Sequence, residues 1–511
     1  MKFASLSILA IAALVLNACG GGGDSTSPAQ PITVTAINPA SGPLAGGTSV
    51  TIAGTNFIDI SGVTIGGNSV VNLTVVSSTQ ITGTSSAATN AGPNDVVVTS
   101  SSHSSGVCKG CFTYDLPVTH SRDQITAGGD HTCALTNAGA AYCWGSNSYG
   151  RLGNGSETNS LTAVAVSGGL TFTTIAAGST HTCALTNAGD AYCWGNNVVG
   201  QLGNGSTNRS SVPVAVSGGL KFLTLAATGD HTCGLVSSGA AYCWGKNDFG
   251  QLGNGTTSGS TVPGSTTPMP VSGGLHFIAL DAGGYHTCGI VGSGAAYCWG
   301  LNESGELGNG SQGGNAGALV PTAVSGGLVF TAIFAGYYHT CGLANQQTVY
   351  CWGSNLFGGL GDGSPMNNGA TSGPDFCPTY PNTGGCSVRP IPMSPGLGEG
   401  FHAFSLGLGG YHTCGLVTDG VAYCWGANTY GQVGSGVIGN TSNRQGVAGS
   451  ATFPGFRLFK TIAASSTNYT CGIATTGDAA YCWGRNDVGQ LGDGTTGDSP
   501  TPVNVSGFPP P

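Results

Sequence analysis

From residue 32 to about residue 116, Val, Ile and Thr alternate with polar residues, and Gly, Pro and Asn break the run about every 8–12 positions. Period-two alternation between turn formers predicts half-buried strands, and this many short ones predict a small β-sandwich. From about residue 125 to 508 the apolar runs stay short, are bounded by glycine, and recur. Each unit opens on Gly-x-x-His-Thr-Cys or an equivalent and reaches Tyr-Cys-Trp-Gly about ten residues later. It continues as x-Asn-x-x-Gly-x-(Leu/Val)-Gly. All seven tryptophans, Trp144, Trp194, Trp244, Trp299, Trp352, Trp425 and Trp483, stand in Tyr-Cys-Trp-Gly. The period is 50–57 residues with one gap of 73, and each unit reads as about four strands.

The hairpin in each unit can be set residue by residue. Mirroring the first about Ala138 makes Asn137-Ala138-Gly139 a three-residue loop, with Gly139 at the left-handed position that such a loop demands. Gly189, Gly239, Gly294 and Gly420 stand in the same place, Gln347 does not, and the last hairpin is one residue longer. In this register Cys133 faces Cys143, Leu135 faces Ala141, Ala134 faces Tyr142 and Thr132 faces Trp144. Large side chains oppose small ones on both faces, which predicts sheets buried on both sides by neighbouring units. Radial repetition of such sheets is the logic of a β-propeller, here with seven blades. Each blade is expected to hold one disulfide: Cys133–Cys143, Cys183–Cys193, Cys233–Cys243, Cys288–Cys298, Cys341–Cys351, Cys414–Cys424 and Cys471–Cys482. The closing strand is expected from the end of the chain, with Val503 to Val505 paired into the blade of Trp144.

The other cysteines complete the 19. Cys108-Lys109-Gly110-Cys111 has no second cysteine pair nearby and no βαβ context, so a small disulfide is favoured over zinc or a redox pair. Cys377 and Cys386 fall in the 73-residue gap, where an insertion at about 365–400, also holding Tyr380, is expected to be stapled by its own bridge. This cysteine use points to an oxidising compartment. Only 6% of residues are charged and the net charge is −9 with 12 Lys+Arg, which argues strongly against a nucleic-acid or anionic-membrane binder.

Met1-Lys2 is followed by an apolar stretch from Phe3 to Leu16 that is too short to span a bilayer. Leu16-Asn17-Ala18-Cys19 resembles the lipobox of bacterial lipoproteins. The resemblance implies cleavage before Cys19, lipidation of that cysteine, and, with Gly20 next, anchorage in the outer membrane. Residues 1–18 would be the signal peptide and 19–31 a Gly/Ser-rich tether. Ile37-Asn38-Pro39-Ala40-Ser41-Gly42-Pro43, then Gly46-Gly47-Thr48 and Gly54-Thr55-Asn56-Phe57, resemble the opening of immunoglobulin-like IPT/TIG domains, here residues 32–116, with a linker at 117–124. The repeats at 125–508 resemble the regulator of chromosome condensation repeat, whose members form seven-bladed propellers. That resemblance implies a binding scaffold. The nucleotide-exchange activity of the nuclear member is not carried over, because an exported chain would not meet a small GTPase.

Candidate site residues follow from variation between units. The residue before each histidine reads Asp130, Thr180, Asp230, Tyr285, Tyr338, Tyr411 and Asn468. Repeats keep what the fold needs, so a varying position is expected at a solvent-facing blade loop, as a surface for protein or glycan. His131, His181, His231, His286, His339 and His412, with Tyr469 in the seventh unit, are read as bonding backbone groups within their own blades; a metal-binding or pH-sensing ring is the alternative. No catalytic elbow, zinc helix or phosphate loop is present in the sequence. The expectation is a monomeric, non-catalytic, lipid-anchored binding protein without cofactor or metal. Alternatives are an adhesin or structural surface protein and, more remotely, a glycan hydrolase using Asp130 and Asp230.

Overall fold

The computed structural model describes residues 30–43, 46–88, 92–115, 125–258, 264–312, 317–344, 348–362, 386–393, 403–417, 420–447 and 458–508. The expected signal peptide with Cys19, the linker, Cys377 and Tyr380 lie outside these residues. The first unit is a sandwich. One sheet is built on Thr33–Asn38, Ser49–Thr55, Gln80–Thr84 and Val71–Ser77, and the other has Gly92–Ser100 and Gly106–Asp115 at its centre. Their inward residues, among them Ile52, Ile65, Ile81, Val96, Val98, Phe112 and Tyr114, are fully buried and form one core. Cys108 and Cys111 are joined across a bulge in the strand Gly106–Asp115.

The repeats form seven four-stranded antiparallel sheets, each made of strands consecutive in sequence. The blades, numbered 1 to 7, cover residues 125–165, 174–215, 222–270, 277–323, 330–392, 403–446 and 459–504. In blade 1, Ile125–Ala127, His131–Leu135, Ala141–Gly145 and Ser160–Ala165 lie in that order. The first strands of all seven blades line one channel of about 330 Å³, so they surround the axis and the other strands step outward. The hairpin register is the one expected: Cys133 faces Cys143, Leu135 faces Ala141, and Gly139 has φ +86°. The seven hairpin pairs are disulfides, with Cα atoms 4.1 Å apart in blade 1 and 4.0 Å in blade 7. The second strands are buried on both faces, and the seven tryptophans are fully buried. Gly153 shows why the repeat keeps Leu-Gly: its φ is +68°, and a Cβ there would lie 2.7 Å from the Trp194 indole nitrogen of the next blade.

Two expectations are corrected. Val503 pairs with Cys482 in blade 7, so the end of the chain does not complete the blade of Trp144. Ile125–Ala127 supplies the inner strand of that blade, pairing with Thr132 to Ala134; at three residues it was too short to stand out in the apolar pattern. The ring closes by packing instead. Val505 joins Ile125, Trp144, Tyr469 and Cys482 in one core, and Ala163 N–H donates to Ser506 O at 2.9 Å. The insertion is also shorter than expected, because Cys386–Pro392 is the fourth strand of blade 5. Cys386 is disulfide-bonded.

Candidate functional site

The histidines join blades to one another. His131 Nε2 lies 2.8 Å from Thr182 Oγ1 of blade 2, and His181, His231, His286, His339 and His412 repeat the contact with Thr232, Thr287, Thr340, Thr413 and Thr470. Thr182 in turn donates to Arg151 O at 3.0 Å, and the Trp194 indole donates to the same carbonyl at 3.0 Å. The hydroxyl proton is thereby used, so the imidazole must donate from Nε2, which assigns the tautomer from the network. Nδ1 of His131, His181, His231, His286 and His412 has no partner among the described residues. Burial holds His181, His231, His286 and His412 down at about 3, His339 at about 4, and His131 well below the ordinary imidazole value. The reading of bonds within each blade is therefore corrected: the partner stands one repeat further along. Between blades 7 and 1, Tyr469 replaces the histidine. Its hydroxyl donates to His131 O at 2.6 Å and lies 3.1 Å from Thr132 Oγ1.

This wiring decides what reaches the surface. Each inner strand ends at a tight turn, Gly128 N–H donating to His131 O at 2.9 Å, and the second strand then leaves the axis side. The residue before each histidine thus sits on one end of the propeller, around the mouth of the channel. His131 pairs with Gly145, so the third strand returns to that same end, and the loop after Trp-Gly joins the mouth. Backbone bonds link the turns of neighbouring blades, as from Ser179 N–H to Gly229 O at 2.9 Å and Tyr337 N–H to Gly409 O at 3.1 Å. Thr467 closes the ring onto Gly129 O.

The structure places the seven candidates there and divides them. Tyr285, Tyr338 and Tyr411 fall in a continuous aromatic arc over blades 3 to 6. Tyr338 and Tyr411 stack at 5.3 Å and 22°, and Tyr337 lies 4.8 Å from Tyr338 and 5.2 Å from Tyr285. Phe249 and Phe357 cap the arc at 5.4 Å from Tyr285 and 5.6 Å from Tyr411. The hydroxyls of Tyr337 and Tyr285 bond at 3.0 Å, and burial raises the Tyr337 phenol above its ordinary value. The other side is polar. Thr180 donates to Asp230 at 3.1 Å, Arg485 lies 3.6 Å from Asp130, and Asn468 accepts from Gln432 at 3.1 Å. A cavity of about 380 Å³ opens between the sides, bounded by Asp130, Arg151, Thr180, Tyr337, Tyr338 and Tyr411 among others.

Sequence reading missed Tyr337, Phe249, Phe357 and Arg151. The last three come from the loop after Trp-Gly, whose residues between the two final glycine-flanked positions read Arg151, Gln201, Gln251, Glu306, Gly359, Gln432 and Gln490. That position holds a buried side chain in six of the seven repeats, and its variation was the available signal. Gln201, Gln251, Gln432 and Gln490 each accept a backbone N–H from two residues earlier, and Glu306 does the same from Ser304 at 2.8 Å. Burial pushes the Glu306 carboxyl up to about 8, so at neutral pH it is largely protonated and stands in for glutamine. No group of three or more metal-ligating side chains is found among the described residues.

An antiparallel seven-sheet ring preceded by a sandwich defines the class: a β-propeller protein with an immunoglobulin-like domain. Comparison with known families gives the rest. The IPT/TIG domain model matches residues 31–115. Two models of the regulator of chromosome condensation (RCC1) repeat match 123–151, 172–201, 223–251, 277–306, 330–358 and 405–432, and 138–185, 188–235, 238–290, 293–343 and 478–510. Together they span more than half of the chain, which belongs to the RCC1-repeat family. It is 31% identical over 224 residues to the human E3 ubiquitin-protein ligase HERC2, covering 44% of this chain and 4% of that protein. It is 30% identical over 245 residues to the ultraviolet-B receptor UVR8 of Arabidopsis thaliana, 47% of this chain and 48% of the receptor. The chain thus spans about half or less of these relatives. Yeast RCC1 (Prp20), solved bound to Kap60, shares the fold at TM-score 0.59 and 21% identity, over 76% of this chain and 86% of that one. Human WBSCR16 does so at TM-score 0.60 and 17% identity, over 72% and 94%.

Proposed function

We propose that this protein is an exported, lipid-anchored binding scaffold that holds a protein partner at the histidine-side mouth of its propeller, without catalysing a reaction. One observation carries the reading. Six aromatic side chains from four blades form a continuous, partly exposed arc beside a charged half-ring, in loops the fold leaves free to vary. Tyr and Arg at the centre of a polar rim make up the composition of protein-binding hot spots. The family supports a partner of this kind: the yeast relative is described as bound to Kap60 and as binding Gsp1p and histones. Ligase activity belongs to HERC2, of whose length this chain matches 4%. Lipidation at Cys19 rests on the lipobox resemblance and the seven blade disulfides, which suit an oxidising compartment.

The test is capture from a cell-envelope extract by the full chain, compared with Tyr285→Ala/Tyr338→Ala/Tyr411→Ala. A partner retained by the parent and lost by the variant is expected. Equal capture by both places the contact elsewhere. An adhesin, the second reading, would tether cells and leave no saturable soluble complex.

A further inference from the structure

We infer that the axial cavity inside this mouth is a subsite for one neutral sugar residue. The inference rests on reading the mouth as the contact surface and adds the chemistry of one of its ligands. Among the described residues, the charged ones that line the cavity are Asp130 and Arg151. Asp230, bonded to Thr180, and Arg485, 3.6 Å from Asp130, stand behind them, so the signs balance and the cavity favours neither an anion nor a cation. An apolar ligand would strand both without water. A neutral ligand carrying donors and acceptors satisfies both, through charge-assisted hydrogen bonds.

Arg151 is built for this. It is 5% exposed, and its guanidinium donates to Ser148 O at 3.1 Å and Ser179 O at 3.3 Å. No carboxylate of the described residues is in ion-pair range of it, and Asp130 lies instead 3.6 Å from Arg485. Two carbonyls leave N–H donors of the guanidinium to spare. Around it, Thr180 and Thr467 give their protons to Asp230 and Gly129 O and take one contact each from Asn196 Nδ2 at 3.2 Å and Ser465 Oγ at 3.4 Å, which leaves each oxygen one lone pair to accept with. The facing wall is the Tyr338–Tyr411 stack. An aromatic wall opposite alternating donors and acceptors matches a sugar ring, which has an apolar C–H face and a hydroxylated edge. In the other repeats the position of Arg151 is Gln, Glu or Gly, so the fold does not require arginine there.

The sugar can come from a free polysaccharide or from a glycan on the partner protein. The experiment uses the full chain in a sugar-free detergent, with saturation-transfer NMR and calorimetry. The probes are methyl glycosides of glucose, galactose, mannose and N-acetylglucosamine at about 10 mM, their oligomers, and a glycoprotein before and after enzymatic deglycosylation. The expected result is binding of at least one glycoside with a dissociation constant of about a millimolar, as a dozen heavy atoms allow. Tighter binding of an oligomer identifies a polysaccharide; binding of the glycoprotein that is lost on deglycosylation identifies an attached glycan. Arg151→Gln installs the residue found at Gln201, Gln251, Gln432 and Gln490, so it is expected to fold and to weaken binding at least tenfold. Tyr411→Ala is expected to do the same, and Val329→Ser, outside the mouth, to change nothing. Binding of no probe, or undiminished binding by Arg151→Gln, overturns the subsite. If that happens while capture of a protein still depends on Tyr285, Tyr338 and Tyr411, the scaffold reading stands without it.

Discussion

Lowering the pH from 7 to 5 is expected to unfold the propeller, and the histidine ring sets the size of the effect. Six buried imidazoles, His131, His181, His231, His286, His339 and His412, donate from Nε2 to a threonine of the next blade. Four are held at about 3 against an ordinary 6.5. The unfolded chain therefore binds more protons than the folded one between pH 6.5 and 3. Stability is complete above 6.5 and falls as the pH drops through that value. At pH 5 His181, His231, His286, His339 and His412 each cost about 2 kcal/mol relative to pH 7, together on the order of 10 kcal/mol, and His131 adds to this in the same direction. Glu306 opposes this: its value of about 8 lies above the ordinary carboxyl, so acid returns about 2–3 kcal/mol. The balance rivals the whole stability of a typical domain. The assay is tryptophan fluorescence and near-ultraviolet circular dichroism during thermal unfolding at half-unit pH steps. The melting temperature should fall steeply below pH 6.5, and His412→Gln should flatten the slope by about one sixth. A melting temperature constant from pH 7 to 5 would refute the account of neutral, inter-blade histidines.

Four shorter predictions follow from the same contacts. Tyr469→Phe removes the hydroxyl that meets His131 O and Thr132, and should destabilise the propeller by about 1–2 kcal/mol, seen as a lower melting temperature. Glu306→Gln should raise the melting temperature more at pH 8 than at pH 6, because the cost of burying this carboxyl grows as the pH rises from its ordinary value towards about 8. Replacing Cys233 and Cys243 together by Ala should cost about 2–3 kcal/mol, read by denaturant unfolding, because the bridge closes a short loop within one blade. Cys19→Ser should abolish lipid labelling and release the protein from membranes; unchanged membrane retention refutes the lipoprotein assignment.

Local pairing was legible in the sequence because it acts over few residues. The Cys133–Cys143 register and the left-handed Gly139 follow from a mirror operation on ten residues, and every equivalent blade repeats the evidence. Contacts between blades were not legible. His131 meets Thr182, 51 residues away, and nothing within one repeat distinguishes that partner from one in its own sheet. Ring closure failed for the same reason: Ile125–Ala127 is too short to declare itself, and Val505 packs on the blade of Trp144 without pairing with it. The varying residue before each histidine lies at the mouth, and it stood out in the sequence because a position the fold does not constrain differs from its constant neighbours. Tyr337 and Arg151 escaped because one precedes an aromatic already chosen and the other lies in a loop read only for its glycines.

The most direct test of the mouth as the contact surface is hydroxyl-radical footprinting of the full chain, alone and in its captured complex. Tyr285, Tyr338 and Tyr411 should be protected on binding, while Val212 and Val329, exposed outside the mouth, keep their labelling. Protection of Val212 or Val329 with unchanged labelling of the three tyrosines would contradict the account.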